Sequence, residues 1–110
     1  MKLWEKKKDG IVILAIEGRL DARTAPLFEQ QVAPMLDGEE RNFLLDLAHL
    51  DYISSAALRR LLVLAKKAEG KGGRVALLSL QGHILEIFEM SGFSQLFPIY
   101  VDQEEALRSF

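Results

Sequence analysis

A chain of 110 residues that is 49% apolar and 27% charged is long enough for one hydrophobic core, too short for two ordinary domains and too apolar for a disordered segment. Its formal net charge of −2, from 14 basic and 16 acidic residues, lacks the positive field of a protein that grips nucleic acid through phosphates, so direct nucleic-acid binding is not expected. No apolar run approaches the roughly 20 residues that span a bilayer, and a chain without cysteine that opens without an apolar leader is expected in the reducing cytoplasm.

Asp9-Gly10 is a two-residue hairpin signal, because both positions tolerate positive φ. It joins a short first strand near Leu3–Lys7 to a second, Ile11–Glu17, whose β-branched and aliphatic run predicts burial on both faces. Gly18-Arg19-Leu20-Asp21 then breaks the pattern. Thr24 and Pro26 mark a helix entry, with a hydroxyl cap followed by proline where no N–H partner is needed. Phe28, Val32, Met35 and Leu36 give that helix one apolar face. Pro34 limits its clean run, and Asp37-Gly38 closes it.

Asn42–Leu47 is a third strand, interrupted near its end by Asp46. After a loop, a second helix starts around Ser54, with Leu58, Leu61, Leu62, Ala65 and Ala68 inward and Arg59, Arg60, Lys66 and Lys67 outward. Lys67, Gly70 and Lys71-Gly72-Gly73 end it. The last three residues read as a solvated turn, since a phosphate loop opens a helix instead of leaving one. Arg74–Leu80 is a fourth strand. Ile84, Leu85 and Phe88 mark a third helix ended by Ser91-Gly92, Phe97–Val101 is a last short strand, and Asp102 caps a final helix through Leu107 and Phe110. The order ββαβαβαβα makes one α/β domain over residues 1–110, with a mostly parallel sheet and right-handed crossovers.

In open parallel sheets, sites gather beyond the C-terminal strand ends. Two segments lie there: Gly18 to Asp21, and Leu47 to Ala57. The second puts two adjacent hydroxyls, Ser54 and Ser55, at a helix N-terminus. One reading is N-capping, which contributes roughly 1 kcal/mol. The other is a switch: free amides and the helix dipole suit a phosphate, and a phosphoserine adds about −1.5 to −2 charges that a docking partner would have to bury or pair. His49 and His83 are the only histidines. No metal-ligand spacing occurs, and the Gly-x-Ser-x-Gly elbow of a serine hydrolase is absent. The chain therefore reads as a binding module without catalytic residues, metal or cofactor.

Several motifs in one register carry a family resemblance. Gly18-x-Leu20-Asp21 with Thr24-Ala25, then Leu45-Asp46-Leu47, then Tyr52-Ile53-Ser54-Ser55-Ala56-Ala57-Leu58, resemble STAS domains of the anti-sigma factor antagonist type. Gly73-Arg74, Ser91-Gly92-Phe93-x-x-Leu96-Phe97-x-Ile99-Tyr100 and Glu104-Glu105-Ala106-Leu107 extend the likeness over the whole chain. The resemblance implies a mixed, mostly parallel sheet with an antiparallel edge strand and helices packed largely on one face. It implies docking through Asp21, Asp46, Ser54, Ser55, Ala56, Ala57 and Leu58 to an anti-sigma factor that is also a serine kinase, which frees the sigma factor. The kinase's own ATP and magnesium then serve to phosphorylate the antagonist, and a phosphatase reverses the switch.

One departure stands out. Regulated members read roughly Asp-Ser-Ser/Thr-Gly-Leu, and placing that leucine on Leu58 puts the glycine at Ala57 and the usual acceptor at Ala56. A shifted acceptor, Ser55 or less favourably Ser54, is what the resemblance leaves. The alternative is a non-phosphorylated STAS accessory module of a transporter or signalling complex.

Overall fold

The computed structural model describes residues 1–110. The hairpin forms as its turn residues dictate: Asp9 has φ 54° and Gly10 φ 78°, a pair of left-handed residues whose twist matches that of the strands they join. It connects β1 (Lys2–Lys8) to β2 (Ile11–Leu20) in an antiparallel register from Lys8↔Ile11 to Lys2↔Glu17. β3 (Asn42–Asp46), β5 (Arg74–Leu78) and the two-residue β6 (Ile99–Tyr100) follow in parallel, giving the spatial order β1-β2-β3-β5-β6.

A further strand, β4 (Leu50–Ile53), forms where the sequence predicts a loop. It pairs in parallel with the end of β2, beyond the point where β3 stops. Correspondingly, β2 does not break at Gly18 but runs on to Leu20. Gly18 takes φ 97°, a backbone state that glycine adopts freely, and the strand resumes past it. The observed order is thus ββαββαβαβα.

Four helices cover the sheet: α1 (Ala25–Asp37), α2 (Ser55–Gly70), α3 (Gly82–Met90) and α4 (Gln103–Arg108). The first three share one face. Val12, Leu14 and Ile16 of β2, Phe43 and Leu45 of β3 and Val75 and Leu77 of β5 pack there against Phe28, Val32, Leu58, Leu61, Ile84 and Phe88. The alternate residues Ile11, Ile13, Leu44, Ala76 and Leu78 form a smaller cluster with Ala106 of α4 on the other face. Burial on both sides explains the continuous apolar runs of the central strands. Every one of the 29 buried residues is hydrophobic.

Several local expectations change. Thr24 precedes α1 but does not cap it. Its hydroxyl accepts from the Asp21 N–H at 2.9 Å and lies 2.8 Å from the Arg19 carbonyl, to which it donates. α1 passes through Pro34 and ends only at Asp37. On α2 Leu64 is buried along with Leu58 and Leu61, while Leu62 is only half-buried. The turn after α2 is not merely solvated: the Lys71 ammonium donates to the carbonyls of Leu36, Gly38 and Glu40, each at 2.6 Å, and so closes the end of α1. Gly73 lies so close to β3 that a Cβ there would sit 1.9 Å from the Arg41 carbonyl oxygen. The fourth strand stops at Leu78 instead of Leu80, and the last covers only Ile99–Tyr100. No helix is long and apolar enough to cross a membrane.

Candidate partner-docking site at the start of helix α2

The extension of β2 and its pairing with β4 bring two distant segments together. The Ser54 N–H donates to the Leu20 carbonyl at 3.0 Å, so the entry to α2 is fixed directly beside the loop that begins at Asp21. That loop folds around the Asp21 side chain. Its Oδ1 accepts from the N–H groups of Thr24 at 3.1 Å and Arg23 at 3.0 Å. The Thr24 N–H, foremost among the causes, holds the Asp21 carboxyl below the ordinary carboxylate range, and the Arg23 N–H and the Arg19 charge add to it.

Arg19 stacks its guanidinium over the Tyr52 ring, 4.2 Å from the centroid, while its Nε lies 3.7 Å from Asp21 Oδ2. The two residues face each other across the β2–β4 ladder, and Tyr52 remains 38% exposed. A stacked arginine–tyrosine pair at the surface has the chemistry that protein interfaces favour.

Ser54 and Ser55 differ in what engages their hydroxyls. Ser54 is the N-cap of α2, with extended backbone, and its Oγ accepts from the Ala57 N–H at 3.1 Å. Ser55 is the first helical residue, is exposed, and its hydroxyl is engaged by no hydrogen bond. No acidic residue occupies the first turn of α2, so the positive end of that helix dipole is uncompensated.

Not every expected docking residue belongs to this surface. Ala57 and Leu58 are 0% and 4% exposed; their side chains serve the core, and a partner cannot touch them without opening it. Ala56 is half-buried. Asp46 is set apart as well. Strand alternation puts it on the face of Leu44, away from Leu45 and Leu47. There it lines a shallow cavity with Trp4, Lys6, Ile13 and Gln103, and its Oδ1 accepts from the Ala48 N–H at 3.1 Å. His49 is exposed and contributes only its carbonyl, which accepts from the Gly18 N–H at 3.0 Å.

The pairing of Arg19 with Tyr52 is not marked in the sequence, because the two residues meet only through strand pairing. No cluster of histidine, aspartate or glutamate is arranged to hold a metal ion. A groove of about 180 Å³ between α1 and α2 is lined by Phe28, Val32, Leu36, Val63 and Leu64 and excludes Ser54 and Ser55.

The chain is similar to known proteins along its whole length. The chain is 40% identical over its full 110 residues to a candidate anti-sigma factor antagonist, BtrV of Bordetella bronchiseptica, covering 95% of that protein. Its fold superposes on a candidate anti-sigma factor antagonist of Thermotoga maritima with a TM-score of 0.92, at 24% identity, over 97% of this chain and 92% of the other. The anti-sigma factor antagonist SpoIIAA in its unphosphorylated form gives a TM-score of 0.84 at 18% identity, over 96% and 93% of the two chains. SpoIIAA of Bacillus in its phosphorylated form gives 0.77 at 16% identity, over 98% of each. Residues 5–106 match the family model of the STAS domain, and the chain belongs to that family.

Proposed function

We propose that this protein is a cytoplasmic anti-sigma factor antagonist, a binding module and not an enzyme. It docks on an anti-sigma factor that is also a serine kinase and thereby releases the sigma factor. The docking surface comprises the Asp21 loop, the Arg19–Tyr52 pair and the exposed start of α2. The kinase, with its own ATP and magnesium, phosphorylates Ser55 and ends the interaction, and a phosphatase restores it.

The observation that carries this reading is the contrast between the two serines: the Ser54 Oγ is committed to the Ala57 N–H, whereas the Ser55 hydroxyl is exposed and free. A phosphate on Ser55 adds about −1.5 to −2 charges where a partner must desolvate the surface. The helix end tolerates that charge, because its unpaired amides and dipole favour an anion. The chain's own stability is spared while the complex is lost.

Peptide mass spectrometry of protein recovered from its native cells, across growth and stress conditions, tests this reading. A phosphopeptide with the phosphate on Ser55, and Ser55→Asp protein that no longer retains the kinase, are the expected results. Phosphate on Ser54 alone would overturn the placement. Absence of phosphate under every condition would instead support a constitutive accessory module of a transporter or signalling complex.

A further inference from the structure

Strand β4 has a strand neighbour on one side only. β2 pairs with it, but the strand that could flank its other edge turns away: β5 ends at Leu78, and Ser79 takes φ 59°, a left-handed state uncommon outside glycine. Two side chains occupy the place of the missing strand. Gln81, the residue preceding α3, donates through Nε2 to the Ala48 carbonyl at 3.1 Å and to the Leu50 carbonyl at 3.0 Å. Both acceptors are carbonyl oxygens, which requires the amide nitrogen to face them. The Leu50 carbonyl belongs to β4 and the Ala48 carbonyl to the turn that leads into it, so a single amide group ties the entry of β4 on the side where no strand pairs with it.

His83 completes the substitution. Its Nε2 lies 2.7 Å from the Asp51 carbonyl oxygen, so Nε2 carries the proton, as both the Nε2–H tautomer and the imidazolium do. Asp51 is the extra residue of a bulge: the β2–β4 register steps from Gly18↔Leu50 to Arg19↔Tyr52 and skips it. Bulges re-aim the side chains that follow. Here Tyr52, the cap Ser54 and the free Ser55 follow within four residues.

We infer that Gln81 and His83 are positioning residues for Ser55, a latch from α3 that fixes the β4 bulge and so sets the direction in which α2 begins. The inference rests on Ser55 as the phosphoacceptor, and it makes α3 part of the switch although no α3 side chain belongs to the docking surface. A phosphoacceptor hydroxyl must be presented within a fraction of an ångström and a narrow angle for transfer. A loosened bulge leaves Ser55 exposed but no longer held in one orientation.

Hydrogen exchange of the full chain, read by peptide mass spectrometry, tests the latch without a kinase. Gln81→Glu replaces the amide by an isosteric carboxylate that cannot donate to two carbonyls, and His83→Ala removes the second bond. Exchange at the amides of Ser54, Ala57 and Leu58 should rise about tenfold or more in the double variant, with the β3–β5 core unchanged. In a Gln81-intact background, His83→Gln, which keeps an N–H donor, should stay close to the unaltered protein where His83→Ala does not. Unchanged exchange across residues 50–58, or a uniform rise over the whole sheet, would overturn the latch. The companion measurement is transfer of phosphate to Ser55 by the cognate kinase with ATP and magnesium, where kcat should fall more than KM rises. Failure of the unaltered protein to accept phosphate would refute the Ser55 reading and leave the exchange result to judge the latch by itself.

Discussion

Replacing Ser54 and Ser55 one at a time separates capping from switching. Ser54→Ala removes the only acceptor of the Ala57 N–H, and Ala57 is fully buried, so water has no access to replace it. The expected loss is about 1–2 kcal/mol, the upper part of the range for N-cap deletions. With about 2.1 cal/mol/K of unfolding entropy per residue, a chain of 110 residues converts this into a fall in Tm of about 4–9 °C. Ser55→Ala breaks no hydrogen bond and substitutes a better helix former, so its stability should stay within about 0.5 kcal/mol of the original. Ser55→Asp places a carboxylate beside a helix end that has no acidic residue in its first turn, a gain of about 0.3–1 kcal/mol at low ionic strength. Urea unfolding followed by far-UV circular dichroism reads all three. The reasoning fails if Ser54→Ala is silent, or if Ser55→Ala costs as much as Ser54→Ala. The functional order is the reverse: Ser55→Asp should abolish partner retention in a protein at least as stable as the original.

Leu61 is fully buried on the sheet-facing side of α2, so Leu61→Ala should cost about 2–5 kcal/mol. An unchanged denaturant midpoint would show that the helix face has been wrongly oriented. Two glycines at the end of α2 should respond in opposite directions. Gly73→Ala drives a Cβ to 1.9 Å from the Arg41 carbonyl oxygen and should destabilise by about 1–3 kcal/mol, whereas Gly70→Ala meets nothing within 4 Å and should gain up to about 1 kcal/mol. Asp21 supplies a pH test. Its carboxyl is held below the ordinary 3.8, first by the Thr24 N–H. The loop's contribution is therefore fully present above that value and is lost as pH falls through the lower folded one. A carboxyl-carbon NMR titration should place the Asp21 midpoint under 3.8; a midpoint at or above it would refute the loop geometry.

What the sequence determined by itself is the structure that rests on neighbouring residues. Asp9-Gly10 demanded left-handed φ at two consecutive positions, and the hairpin follows from that alone. The doubly apolar run from Ile11 to Ile16 could only be a strand buried on both faces, and the apolar helical period after Ser54 placed the start of α2 around that residue, which is its N-cap. Strand alternation around Leu45-Asp46-Leu47 also contains the fact that Asp46 faces away from the helices that carry Leu58 and Leu61.

The tertiary structure decided what depends on pairing between segments some thirty residues apart. Leu50-Asp51-Tyr52-Ile53 is too short and too polar to declare itself a strand; it becomes β4 because β2 continues past Gly18 and offers a free edge. The meeting of Arg19 with Tyr52, of Leu20 with Ser54, and of Gln81 and His83 with the bulge at Asp51 all follow from that one register. Ser54 and Ser55 are chemically identical in the sequence. They differ in the fold because a cap must turn its hydroxyl back to the amide three residues on, which leaves the next hydroxyl facing solvent.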